Sequence, residues 1–230
     1  MIISGLTKMT ILDFPGNVSC MVFTEGCNFR CPWCHNSGVV NGRYVNVPES
    51  EVFEYLQKRK GVLDAVIISG GEPLMQKDLI QFMIKVKNMG YKIKLDTNGF
   101  LTDKLKEILD LGLVDYVAMD IKSEPSSYAK TIGLSGFDPS PILNSIKLLE
   151  ESNVEHEFRT TCIKGLTTKE TIEEIARIIP NAKHYYLQNF QDSGDLLGET
   201  VSFESFTSAE MNELLKVAQN YNGNTALRGV

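Results

Sequence analysis

Three cysteines fall within eight positions of "EGCNFRCPWCHN" (25–36): Cys27, Cys31 and Cys34. Thiolates are soft ligands that favour zinc, copper(I) or iron–sulfur clusters. Structural zinc would need a fourth donor, and Cys20, Cys162, His35 and His156 are residues of the right type. His35 adjoins Cys34, so both would have to turn onto one ion, and no second cysteine knuckle follows. A [4Fe–4S] cube usually takes four cysteines. Three from one loop hold three irons and leave the fourth open to a molecule that binds metal directly. The spacing therefore favours a cluster with one open iron over zinc. Cys20 and Cys162 stand alone in apolar segments and read as small core residues.

Other short polar stretches punctuate the chain: "SGGEP" (69–73), "DTNG" (96–99), "MDIK" (119–122), Arg159 and "QNFQ" (188–191). The elements that would carry them are buried strands predicted at 18–24, 64–69, 91–96, 115–121, 156–163 and 183–190. Helical periodicity fills the intervals. "PESEVFEYLQKRKG", "KDLIQFMIKVKNMG" and "TDKLKEILDLG" each close on a glycine, and "SPILNSIKLLEESN" opens with Ser140 as cap and Pro141 at the first helical position. Thr167 with Glu170, and Thr207 with Glu210, have capping-box spacing, and Pro180 follows the first of these helices.

Strand and helix thus alternate about six times in units of roughly 30 residues, the size of a βαβ element. The chain is short for a complete barrel of about 250 residues. The expected fold is α/β, an incomplete parallel (β/α)6 barrel (a partial TIM barrel), with a flat doubly wound sheet as the alternative. "NTALRGV" (224–230) reads as either a short extra strand or a disordered end. In parallel α/β folds, ligands bind at the carboxyl ends of strands. The cysteine loop and all five other polar features lie towards those ends.

The 230 residues, 43% of them hydrophobic, are expected to form one domain over 1–230, with a core at about 16–195 and a helix at about 207–220. A net charge of −6 argues against nucleic acid as a partner. The beginning lacks a signal-peptide pattern and no apolar run is long enough to span a bilayer, so no membrane partner and a cytoplasmic location are expected. Five cysteines in that compartment point to metal or catalysis rather than disulfides.

Cys27-x3-Cys31-x2-Cys34, with Trp33 before the last cysteine, resembles the signature of the radical S-adenosylmethionine (SAM) superfamily, and "GGEP" (70–73) resembles its second motif. "LDFPG", "GCNFRCPWCHN", "SGGEPLMQ", "DTNG" and "MDIK" are similar to the glycyl-radical-enzyme activases within it. The opening "GLTKMTILDFPGNVSCMVFTEGCNFRCPWCHN" most resembles the activators of anaerobic ribonucleoside-triphosphate reductase, although pyruvate formate-lyase activators share most of these words.

The resemblance implies a [4Fe–4S] cluster on Cys27, Cys31 and Cys34, with SAM chelating the open iron through its amino and carboxylate groups. One electron, from flavodoxin or ferredoxin, would split the sulfonium, and the deoxyadenosyl radical would take hydrogen from a glycine of the partner. Gly70 and Gly71 let a backbone come close, and Glu72 would support a carbonyl that receives the SAM ammonium. The backbone around Trp33 would lie against adenine. Asp96, Thr97 and Asp120 match residues that hold a monovalent cation beside the SAM carboxylate in pyruvate formate-lyase activators, with Lys122 near the same group. Asp120 and Lys122, two apart on a strand, share a side and form a candidate ion pair. Arg159 would either meet the SAM carboxylate or pair with an acid. Asn98, Asn189 and Gln191 are candidate ribose or substrate contacts, and Gln191 stands where those activators lead one to expect histidine. His156 and His184 read as structural. Rival readings are a radical SAM enzyme acting on a small molecule or another peptide, and a zinc-stabilised binding module.

Overall fold

The computed structural model describes residues 1–192, 196–198 and 202–229. The chain falls into two compact units, one of residues 1–28, 38–97 and 103–117, the other of 29–37, 98–102 and 118–230. Within each, neighbouring strands follow chain order.

The first unit holds β1 (Ile3–Thr10), β2 (Ser19–Thr24), β3 (Ala65–Gly70), β4 (Lys92–Thr97) and the start of β5 (Tyr116–Asp120). β2, β3 and β4 are parallel, whereas β1 runs antiparallel to β2. Ala65, Val66, Ile67 and Ile68 are all fully buried, as expected of a strand covered on both faces. Four helices accompany these strands in sequence: α1 (Ser37–Val40), α2 (Glu49–Lys58), α3 (Leu79–Asn88) and α4 (Thr102–Asp110). Buried Leu79, Phe82, Met83 and Val86 of α3 recur at helical spacing and form its inner stripe. The stripe stops before Gly90, whose φ of 91° carries the chain out of the helix.

The second unit contains the end of β5, then α5 (Tyr128–Thr131), α6 (Ser140–Glu151), β6 (Glu155–Cys162), α7 (Lys169–Ile178), β7 (Tyr185–Asn189), α8 (Ser208–Gln219) and β8 (Thr225–Arg228). β6, β7 and β8 are parallel. Phe29, Phe100, Tyr128 and Phe137 form an aromatic cluster with ring centres 5.1–6.3 Å apart.

All six expected strands are present. The structure adds β1 and resolves "NTALRGV" in favour of a strand, β8. Two caps differ from expectation. Ser140 is inside α6 rather than before it, and its hydroxyl donates to Asp138 at 2.7 Å. The cap of α7 is Thr168, which accepts from Thr171 N, one residue beyond the expected Thr167. The Thr207–Glu210 capping box is present with both reciprocal bonds. Among the described residues, no helix is long and apolar enough to cross a membrane.

Candidate functional site: a cysteine loop and an ion-paired strand end

In the first unit, β2 and β3 end side by side, with Thr24 opposite Gly70. The cysteine loop leaves one and the GGEP turn leaves the other. Gly71 N donates to Thr24 O at 2.9 Å, and Glu72 N donates to Gly26 O at 2.8 Å. A Cβ on Gly71 would lie 1.9 Å from Gly26 O, and Gly70 combines a φ of 119° with a would-be Cβ contact of 2.3 Å to Thr24 N. The glycines therefore let this turn fasten the stretch immediately before Cys27.

Glu72 is completely buried. Its Oε1 accepts from Leu74 N at 3.1 Å and from the Thr97 hydroxyl at 2.7 Å, which ties the turn after β3 to the end of β4. Asp96 faces the ammonium of Lys94 at 3.3 Å. Lys94 is itself buried, donates to Asp13 O and lies 5.7 Å from the centre of the Tyr116 ring. A buried lysine in a strand is costly without such partners. Cys27 is half-buried, with Sγ 3.8 Å from Asn28 Oδ1.

In the second unit, Cys34 N donates to Cys31 O at 3.0 Å, closing a turn, while Arg30 N donates to Ile132 O at 2.9 Å. Leu197 N and Gly198 N donate to Cys34 O and Pro32 O at 2.9 and 2.8 Å, so the loop is held by backbone bonds on several sides. Trp33 is buried and its Nε1 donates to Thr131 O at 3.3 Å. Lys122 Nζ lies 5.2 Å from the centre of its ring.

Asp120, at the end of β5, is gripped at both oxygens. Lys122 Nζ donates to Oδ2 at 2.9 Å and Arg159 Nε to Oδ1 at 2.8 Å. Burial alone would raise the Asp120 pKa, but the guanidinium and ammonium beside it outweigh that and hold it well below the usual carboxylate range. For Lys122, burial pulls downward, yet Asp120 and the neighbouring Cys31 thiolate leave its pKa raised. Burial lowers that of His35, helped by Lys122 and opposed by Asp120.

The expected Asp120–Lys122 pair is thus present, and Arg159 bonds the other oxygen of the same carboxylate. Asn98 is buried and accepts from Phe100 N at 3.0 Å, and Asn189 bonds Phe206 through both N and O. Gln191 is exposed. His156 is buried against Phe158, with Nδ1 3.1 Å from Val154 O, and His184 stacks on Tyr186. Sequence reasoning passed over Lys94, Glu157 and Arg228, three charged residues held in ion pairs on strands. For Lys94 and Glu157 the signal available was a charge interrupting a segment otherwise read as a buried strand.

All five cysteines are free of disulfide bonds. The three on the loop are the donor chemistry an iron–sulfur cluster requires. Among the described residues, no group of three or more His, Cys, Asp or Glu is gathered as a lone metal ion would need.

The model of the Radical SAM superfamily matches residues 21–179. The chain is 31% identical over 233 residues to a Methanocaldococcus jannaschii protein named as a candidate glycyl-radical enzyme activating enzyme, covering all of this chain and 96% of that one. It is also 31% identical over 194 residues to the pyruvate formate-lyase-activating enzyme of Clostridium pasteurianum, covering 79% of this chain and 77% of that one. Streptococcus suis SuiB, solved bound to S-adenosylmethionine, shares the fold with a TM-score of 0.70 at 19% identity; the match covers 90% of this chain and about half (49%) of SuiB. The chain therefore belongs to the radical SAM superfamily, and within it to the glycyl-radical enzyme activating enzymes. It is an enzyme of that type, its fold class is the expected incomplete parallel (β/α)6 barrel, and the family's cofactors are a [4Fe–4S] cluster and SAM.

Proposed function

We propose that this protein activates an anaerobic ribonucleoside-triphosphate reductase by removing hydrogen from the α-carbon of one of its glycines, leaving a glycyl radical. The observation that carries this reading is the cysteine loop fastened to the GGEP turn at the carboxyl ends of β2 and β3. The opening of the sequence favours the reductase as partner. The likeness to the Clostridium pasteurianum enzyme favours a second reading, a partner of the pyruvate formate-lyase type.

Cys27, Cys31 and Cys34 would hold the cluster. When bound, the cluster supplies the single electron that divides SAM into methionine and the deoxyadenosyl group that takes the glycine hydrogen. The chain's own residues bind and orient. The GGEP turn meets the SAM ammonium through backbone supported by Glu72. The packing of Trp33 sets the loop backbone against adenine. Lys122 and Arg159, anchored on Asp120, meet the methionyl carboxylate. The electron donor would be a flavodoxin or ferredoxin.

Oxygen-free protein, SAM and dithionite are mixed with either partner enzyme and examined by electron paramagnetic resonance. A glycyl doublet formed with the reductase alone supports the first reading, and one formed with the lyase alone supports the second. Conversion of SAM with an altered small molecule as product sinks both. Cys31→Ala is expected to abolish iron binding and SAM cleavage, and normal cleavage by that variant overturns the ligand assignment.

A further inference from the structure

The spacer between Cys27 and Cys31 has an apolar residue at its centre, Phe29, and only 3% of it is exposed. A phenyl ring has no donor atom to offer a metal, so its use lies in what it touches. In the second unit Phe29 is enclosed by three rings: Phe100 at 6.0 Å, Tyr128 at 6.3 Å and Phe137 at 5.5 Å between centres. All three meet it edge to face, at 62°, 72° and 86°, the arrangement in which aromatic rings attract. The enclosing rings are fixed in turn. Phe137 stacks on Tyr128 at 5.5 Å and 14°, and lies 5.1 Å from Phe100. Tyr128 is buried, and its oxygen accepts from Lys122 N at 3.3 Å.

The next residue of the spacer is held through its backbone. Arg30 N donates to Ile132 O at 2.9 Å, and a Cβ on Gly133 would lie 2.4 Å from Arg30 O. Gly133 also has a φ of 70°, so both the turn after α5 and the close approach require glycine. Residues 128–137 thus grip the Phe29 side chain and the Arg30 main chain together. Cys31 follows directly. Consecutive Cα atoms are tied about 3.8 Å apart, so a displacement of Phe29 and Arg30 is passed on to Cys31. Site residues need placing to within about 0.5 Å, which a short loop achieves only with such support.

We propose that the rings around Phe29, with Gly133, are positioning residues for the cluster: they fix Cys31 where it takes iron and close that side of the loop to water. The inference rests on the radical SAM reading above and extends it to residues outside the cysteine motif.

The test reconstitutes the full chain with iron and sulfide in the absence of oxygen. It follows the rate at which a chelator strips iron and the midpoint potential of the cluster. Phe29→Ala empties the cage, and Phe137→Ala removes the ring that meets all three others. Each is expected to speed iron loss about tenfold, the size of effect typical for groups that support metal ligands. Each should also raise the potential, because water admitted beside a cluster favours its more negative, reduced state. Phe137→Leu, which keeps apolar bulk without the ring, should fall between, and Gly133→Ala should act through the backbone as Phe29→Ala does through the side chain. Phe53→Ala is the control for lost packing alone, since it removes a ring 5.1 Å from Phe82 in the first unit, and it should leave both quantities unchanged. Iron loss and potential in Phe29→Ala and Phe137→Ala equal to those of Phe53→Ala overturn the positioning role and leave the cluster reading standing. A wild-type chain that takes up no iron and sulfide overturns the cluster reading itself. If Phe29→Ala does not fold, Phe137→Leu and Gly133→Ala carry the comparison.

Discussion

Gly71→Ala tests whether the cysteine loop and the GGEP turn are clamped together. The added Cβ would sit 1.9 Å from Gly26 O, where 3.4 Å is the lower edge of ordinary contact, so the two turns must part by about 1.5 Å. Forced overpacking of this kind typically costs about 1–3 kcal/mol. That separation also breaks the 2.8 Å bond from Glu72 N to Gly26 O, a further loss of about 0.5–1.5 kcal/mol. The variant should therefore lose about 2–4 kcal/mol. With a urea slope of about 1–3 kcal/mol per molar, the midpoint falls by roughly 1 M or more. Gly223→Ala is the control, because nothing lies within 4 Å of its would-be Cβ and its φ is not left-handed. It should stay within about 1 kcal/mol of wild type. Iron per chain gives a second readout, since Gly26 directly precedes Cys27. A Gly71→Ala midpoint equal to that of the control refutes the clamp.

Thr97→Val removes a hydroxyl that donates to fully buried Glu72 and should cost about 1–3 kcal/mol in urea unfolding, with Thr97→Ser close to wild type. Cys20 and Cys162 are buried, with thiols pushed up to about 12, so peptide mapping after iodoacetamide at pH 8 should find both unlabelled in the native protein. Label on either under native conditions contradicts their placement. His156 is held below its ordinary value mainly by burial, and its Nε2 is buried without a hydrogen-bond partner. A depressed histidine disfavours the charged form in the folded state. Its stabilising effect is present above the ordinary value of about 6.5 and is lost as pH falls through the folded one. Urea midpoints should therefore drop from pH 7 to 5 in wild type and drop less in His156→Gln; parallel profiles would exclude His156 as the source.

Much of this molecule is legible in its residues taken in order. Strands such as β2, β3 and β5 are largely apolar runs, and hydrophobic periodicity is a property of neighbouring residues. The cysteine loop and GGEP are contiguous words whose chemistry follows from residue type and spacing. Asp120 and Lys122 can be paired because residues two apart in extended chain point to the same side, although β5 itself ends at Asp120. β1 is not legible, because "ISGLTKMT" is half polar and becomes a strand only by pairing antiparallel with β2. The α7 cap slips by one residue because Thr167 and Thr168 are equally good candidates until the turn decides between them. Arg159 could not be assigned, nor Glu157 and Arg228 suspected, because their pairing joins residues 39 and 71 positions apart. Residue type and spacing thus pointed to the thiols and the turn, and the resemblance of those words to known motifs pointed to the family. Which buried charge answers which depends on strands meeting across long stretches of chain, and only the folded arrangement could decide it.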